Sequence, residues 1–123
     1  MEGIIYKELS YQLNGILFAV QNSLGTKFQE KHYIKATCAY LDELHVPYVL
    51  EFPFELKVKG KVLGSFRVDL IVDNKILMEF KTVGRLTIDH KMQILRYLEA
   101  LDLRLGLLVN FRVRPIQIWR VTN

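Results

Sequence analysis

The residues best suited to chemistry lie between Phe66 and Lys81, in the segment FRVDLIVDNKILMEFK. Asp69, Glu79 and Lys81 carry charge within two mainly apolar runs of this segment. Burying a carboxylate or an ammonium group costs several kcal/mol unless the group is paired or bound to a metal ion. These three side chains should therefore have a partner.

Both runs alternate between apolar and other residues, as strands with one buried face do. In the first run the alternation places on one face Phe66, Val68, Leu70 and Val72. The second run places Glu79 and Lys81 together on the face opposite Phe80, since strand side chains repeat every two residues. Asp73-Asn74 forms a turn between them, so the segment is predicted to be a hairpin.

Two helices are predicted before the hairpin. The first covers Tyr6 to Leu24 and is followed by Gly25, and the second runs from about Lys27 to Leu44. Glu30 lies near the start of the second helix, at the edge of its inward face. An acidic residue there either joins a site or only favours the positive end of the helix dipole.

Three further strands and one helix complete the expected order. A strand from Tyr48 to Val58 precedes the hairpin and makes an antiparallel meander with it, and Pro53 predicts an edge position or a bulge. After Thr87 as N-cap comes a helix from Ile88 to about Leu101, and the last strands cover 103–111 and 116–121. The predicted core stripe of that helix consists of Ile88, Met92, Leu95, Leu98 and Leu101. Gln93 and Tyr97 lie on a separate stripe together with Asp89.

The composition is that of a globular protein. With 123 residues, half of them hydrophobic, the chain is expected to form a single domain over residues 1–123. Seventeen Lys and Arg residues against thirteen Asp and Glu residues give a charge of +4, which only weakly favours a polyanionic partner. No apolar run approaches the roughly 20 residues of a membrane helix, and the N-terminus lacks the features of a signal peptide. We therefore expect a cytoplasmic protein.

An Asp followed ten residues later by Glu-x-Lys on the next strand resembles the signature of the PD-(D/E)XK nuclease superfamily. Here it is Asp69 with Glu79-Phe80-Lys81. The order of helix, three strands, helix and strand also matches the core of that superfamily. The resemblance implies an α/β (α+β) fold with a restriction-endonuclease-like core, in which a three-stranded antiparallel meander, a helix and further strands form a mixed sheet.

A narrower resemblance, from about Leu9 to Val121, is to the GxxExxY proteins within this superfamily. It is carried by several separated motifs in order: Lys27-Phe28-Gln29-Glu30-Lys31-His32-Tyr33, Asp69, Glu79-Phe80-Lys81, Gln93, Tyr97, and Gly106 to Phe111. Lys27 stands where the family pattern has its first Gly, although Gly25 lies two residues earlier.

The resemblance implies a nuclease that uses Mg²⁺ or Mn²⁺ and acts on DNA or RNA. Asp69 and Glu79 would be metal ligands, the Phe80 carbonyl would be a backbone ligand, and Glu30 would approach directly or through water. Lys81 would orient the attacking water and stabilise the phosphate in the transition state. Gln93 and Tyr97 would position Lys81 or the scissile phosphate.

Two alternatives to an enzyme remain open at this point. The chain could be a catalytically silent, nuclease-fold module that binds nucleic acid, or an interaction protein that pairs with a copy of itself as a homodimer. The presence of Asp69, Glu79 and Lys81 together favours the enzyme over the silent module, which has no need of all three.

Overall fold

The computed structural model describes residues 3–123. The elements in this range are α1 Lys7–Leu24, α2 Glu30–Glu43, β1 Tyr48–Val58, β2 Lys61–Val72, β3 Ile76–Lys81, α3 Ile88–Leu101, β4 Leu105–Asn110 and β5 Gln117–Thr122. The predicted order is confirmed, and the bounds differ from prediction only at the ends of elements.

The five strands form one mixed sheet in the order β1-β2-β3-β4-β5. Strands β3 and β4 are parallel, whereas the other neighbouring pairs are antiparallel. Parallel neighbours need a long crossover, and α3 provides it. The mixed α+β fold with its antiparallel meander is thus confirmed as a restriction-endonuclease-like core.

Each face of the sheet has its own apolar core. Helices α1 and α2 pack on one face, with Tyr33 and Phe80 among the fully buried side chains. Helix α3 packs on the other face, where Leu77 and Leu108 are buried. Strand β4 is buried along its whole length, as its apolar sequence predicts. Among residues 3–123, none of the helices has the length and apolar character needed to cross a membrane.

The prediction that β2 keeps one apolar face was wrong. Leu70 and Val72 pack in the core with α1 and α2, whereas Val68 packs in the core with α3. The change occurs at Asp69, which lies opposite Glu51 between the pairs Leu50–Leu70 and Phe52–Val68. Glu51 has a left-handed backbone (φ 52°). Such a residue interrupts the pleat, and strict alternation holds only along an unbroken pleat.

The predicted core stripe of α3 is confirmed only in part: Leu98 is buried, and Leu95 and Leu101 pack against the core on that face. Ile88 and Met92 are 66% and 45% exposed, and the buried residues of the helix are Ile94, Tyr97 and Leu98. The contact with the sheet is centred on Gly106 of β4, where an added Cβ would lie 2.7 Å from Ile94 Cγ2. This close approach turns the Ile94 side of the helix inward, and the stripe of Gln93 and Tyr97 moves toward the sheet with it.

Beyond its contact with β3, the β1–β2 hairpin continues as an arm. Strand β3 pairs only with Leu70–Val72 of β2, although β1 and β2 pair along nearly their full lengths. We call residues 52–68 the hairpin arm. Its Phe52 and Phe54 pack against the α3 core, so the arm and α3 lie side by side.

Candidate active site

Asp69 and Glu79 lie where β2 and β3 separate. The last residue pair between these strands is Leu70–Met78, so the two acidic residues come directly after it. Their side chains take over the bonding between the strands. The Asp69 N–H donates to Glu79 Oε1 at 3.1 Å, and the Phe80 N–H donates to Asp69 Oδ2 at 2.8 Å. Each carboxyl group is therefore held by the backbone of the opposite strand.

The two carboxyl groups perturb each other. Burial and the neighbouring Asp69 carboxylate raise the pKa of Glu79 to about 8. Burial also raises the pKa of Asp69, despite the hydrogen bond from Phe80 and the nearby Lys81 ammonium group. Like charges in a site with little water disfavour double ionisation. In the absence of a cation, the pair therefore retains a proton at neutral pH.

Lys81 is held by a chain of hydrogen bonds that reaches into α3. Its Nζ donates to Gln93 Oε1 at 3.2 Å, and Gln93 Nε2 donates to the Tyr97 hydroxyl at 3.1 Å. Because the amide of Gln93 accepts at one end and donates at the other, the chain fixes its orientation. The structure thus brings together five predicted site residues: Asp69, Glu79, Lys81, Gln93 and Tyr97.

Glu30 lies at the margin of this group. It is the first residue of α2, and its Oε2 accepts a 3.5 Å hydrogen bond from Thr82 Oγ1, directly after Lys81. Within residues 3–123, no three side chains of Asp, Glu, His or Cys are grouped so as to hold a metal ion. Glu30 therefore does not form one metal-holding cluster with Asp69 and Glu79 in this structure, and its role as a ligand stays a prediction.

The donor set fits a hard divalent cation. Asp69 Oδ2 and Glu79 Oε1 accept backbone hydrogen bonds from the opposite strand, so both carboxyl groups are fixed at the same point between β2 and β3. In a strand the N–H and C=O groups of one residue point to the same side. The Phe80 carbonyl therefore faces the side on which its N–H meets Asp69. Mg²⁺ is commonly held by one or two carboxylates plus substrate phosphate and water, and its charge would replace the proton that the pair retains.

Two buried amide side chains support the site, and neither was predicted to have this role. Asn110 pairs with Lys81 across β3 and β4; its Nδ2 donates to the Val83 carbonyl at 2.9 Å, and its Oδ1 accepts from the Val83 N–H at 3.1 Å. Gln21 of α1 donates to the Phe111 and Val113 carbonyls. A polar residue inside an otherwise apolar strand or helix stripe was the available signal for both.

Tyr33, the last residue of the Glu-x-x-Tyr motif, has a structural contact. Its hydroxyl donates to the Gly25 carbonyl at 2.7 Å and accepts from the Phe28 N–H at 3.2 Å. Its ring stacks on Phe111 with centroids 4.3 Å apart. Tyr33 therefore holds the loop between α1 and α2, which sets where Glu30 begins its helix.

Comparisons with known proteins bear on the family and the fold of the chain. The family model of the PD-(D/E)XK nuclease superfamily matches residues 7–121. A comparison with curated protein sequences gives no match. Among solved structures, that of SSO0001 is similar, with a TM-score of 0.61 and 24% sequence identity over 96% of this chain. This chain spans 60% of the length of SSO0001, and at that identity the likeness concerns the fold.

Proposed function

The chain belongs to the PD-(D/E)XK nuclease superfamily, and from this premise we propose that it is a metal-dependent nuclease that hydrolyses phosphodiester bonds of nucleic acid. The observation that carries the proposal is the pair formed by the buried Glu79 and the half-buried Asp69, with the Lys81 ammonium group beside it. Two carboxylates that repel each other need a cation, and an ammonium group next to them suits an anionic substrate.

In the proposed site, Asp69, Glu79 and the Phe80 carbonyl hold Mg²⁺ or Mn²⁺, and Glu30 adds a ligand directly or through water. The ion would supply electrostatic stabilisation of the charge that develops on the phosphate. This choice of ion extends to the chain what nucleases of the superfamily usually use, which is a divalent metal.

Lys81 is the proposed catalytic cation. Its ammonium group orients the attacking water and stabilises negative charge on the non-bridging phosphate oxygens. Gln93 accepts one of the ammonium hydrogens and Tyr97 fixes Gln93, so these two residues position Lys81. Placing a catalytic group in advance of the reaction removes an entropic part of the barrier.

The finer assignments are also proposals. We place the chain among the GxxExxY proteins on the motifs around Glu30, Asp69 and Gln93, with Lys27 as the departure from the pattern. We further propose a single nuclease-like domain over residues 1–123 that acts in the cytoplasm, where nucleic acid is present.

The test is an assay with labelled single- and double-stranded DNA and RNA, with Mg²⁺, Mn²⁺ or EDTA. We expect cleavage with a metal ion and none with EDTA. Lys81→Met keeps the aliphatic stem and removes the charge; it should lower the rate by about 10²- to 10³-fold, the usual effect of deleting one transition-state donor. The matched control is Lys91→Met, which changes an exposed lysine of α3. Equal rates for wild type and Lys81→Met would exclude Lys81 from catalysis.

A self-associating protein is the second candidate, favoured by one surface. The tip of the hairpin arm and its turn expose Val58, Val62 and Leu63, which are 54%, 50% and 62% accessible. Large apolar side chains exposed at one end of a hairpin are a surface that a second copy of the chain could cover. A concentration-dependent dimer in sedimentation that Leu63→Lys abolishes, with no metal-dependent cleavage, would favour this candidate.

A further inference from the structure

A groove of about 270 Å³ lies between the hairpin arm and α3. Its lining includes Phe54, Leu56, Phe66, Arg96, Tyr97 and Glu99. Arg96 and Glu99 contribute opposite charges, so their net contribution is close to zero. Aromatic and aliphatic surface is therefore what the groove mainly offers to a ligand.

The aromatic rings of the groove form one cluster with an exposed member. Phe54 and Phe66 stack with centroids 5.4 Å apart, and the Tyr97 ring meets Phe54 edge-on, also at 5.4 Å. Phe66 remains 38% exposed, and its ring lies along β2 over Gly64, where an added Cβ would be only 3.1 Å away. Part of the Phe66 ring is therefore available for stacking with a planar group.

The groove adjoins the candidate active site at Tyr97. The Tyr97 ring lines the groove, while its hydroxyl is bonded to Gln93, which holds Lys81. Besides burial, the Glu79 carboxylate raises the pKa of Tyr97, as expected for groups that lie close together. A ligand in the groove would therefore be a near neighbour of whatever binds at Lys81.

We propose that this groove receives one unstacked nucleobase of the strand whose phosphate binds beside Lys81, an inference that rests on the proposed nuclease function. Its volume lies just below the roughly 300–1,000 Å³ of small-molecule sites, which suits one planar ring system. Stacking of bases on aromatic side chains tolerates every base, because each base has a π-face. A base paired within a duplex would first have to leave the helix. The groove therefore favours single strands, or strand ends and gaps, over intact duplex.

The experiment measures binding of a short labelled single-stranded oligonucleotide by fluorescence anisotropy, without cleavage, in the Lys81→Met background. Phe66→Leu removes the aromatic face and keeps an apolar side chain. It should weaken binding by about 5- to 150-fold, which is the usual value of one stacked base expressed as an affinity ratio. The matched control is Phe18→Leu, which changes a similarly exposed phenylalanine (47%) on α1, at the opposite face of the sheet.

A second substrate series ties the effect to one base. The series consists of oligonucleotides that each lack one base, with the abasic position moved along the strand from one oligonucleotide to the next. At one position, removal of the base should weaken binding to the protein with Phe66 and should have no further effect on the Phe66→Leu protein. Non-additivity of this kind is expected when two groups contact each other, and it is not produced by a general loss of stability.

Each result decides between the groove and the nuclease proposal. If the wild-type protein cleaves nucleic acid but neither Phe66→Leu nor any abasic position changes affinity, the base site is wrong and the nuclease proposal stands. If the wild-type protein neither binds nor cleaves any nucleic acid, both are wrong. A change in sedimentation of Phe66→Leu, with unchanged nucleic-acid affinity, would make the groove a contact between copies of the chain and overturn the base site.

Discussion

The protonation of Glu79 predicts that the metal-free protein loses stability as the pH rises. The unfolded chain releases this proton near pH 4.5, whereas the folded chain releases it near pH 8. The folded state therefore binds more protons in this interval, and its free energy of unfolding falls as the pH increases through it. Since one pKa unit corresponds to about 1.4 kcal/mol, the loss is at most about 5 kcal/mol. The Asp69 shift has the same sign.

The size of this effect makes it measurable. Small domains have total stabilities of about 5–15 kcal/mol, so a loss of about 5 kcal/mol would remove at least a third of the free energy of unfolding. Glu79→Gln resembles the neutral acid and cannot ionise. It should match the wild-type protein at pH 5 and be several kcal/mol more stable at pH 9.

The assay is urea unfolding in EDTA between pH 5 and pH 9, followed by circular dichroism. The difference between wild type and Glu79→Gln isolates this group from other titrating residues. Glu43→Gln, a change at an exposed position of α2, is the control and should leave the pH dependence unchanged. The reasoning fails if wild type and Glu79→Gln lose stability equally as the pH rises.

Three further predictions concern the same residues and their support. Saturating Mn²⁺ or Mg²⁺, at about a hundredfold excess over the dissociation constant, should raise the free energy of unfolding by about 2–3 kcal/mol. Thermal denaturation measures this gain, and Asp69→Asn should abolish it. An unchanged melting temperature of the wild type at millimolar metal would argue against a metal site. Glu30→Gln should weaken metal binding by calorimetry if Glu30 contributes a ligand, and equal affinity would leave it a helix-end acid bonded to Thr82. Gly106→Ala should cost about 1–3 kcal/mol by urea unfolding, because its Cβ would lie 2.7 Å from Ile94 Cγ2, and a neutral result would mean that α3 shifts freely.

Much of the fold could be predicted from the periodicity of apolar residues, because most helices and strands have one clear apolar face. The bounds of β1, the Thr87 N-cap and the start of α3 were predicted correctly. The inward face of α3 was predicted only in part, since Leu98 is buried as expected whereas Ile88 and Met92 are exposed and Ile94 is buried in their place. The contact of Ile94 with Gly106, more than ten residues away in sequence, accounts for this difference. Helical periodicity depends only on the sequence of the helix and takes no account of a glycine on a distant strand.

Part of the site could also be predicted from the local sequence. Asp69, Glu79 and Lys81 stood out as charges within apolar strands, and this depends only on local sequence. That Gln93 would accept from Lys81 and donate to Tyr97 depends on the rotation of α3 against the sheet. Residue types and spacing do not give this rotation, and for these two residues only the family resemblance pointed to the site.

The interrupted pleat opposite Asp69 connects the site with the neighbouring groove. Asp69 meets Glu79 on the α3 face of the sheet, and after the change of face at Glu51 and Asp69 the apolar residues of the arm, such as Val68 and Phe54, also turn toward α3. If the pleat were unbroken, Val68 and the arm residues that follow the same alternation as Leu70 would lie on the face covered by α1 and α2. The aromatic wall of the arm would then lie on the side of the sheet away from Lys81. The local break in β1 and β2 thus places the apolar groove and the charged site on one face, as the proposed base site requires.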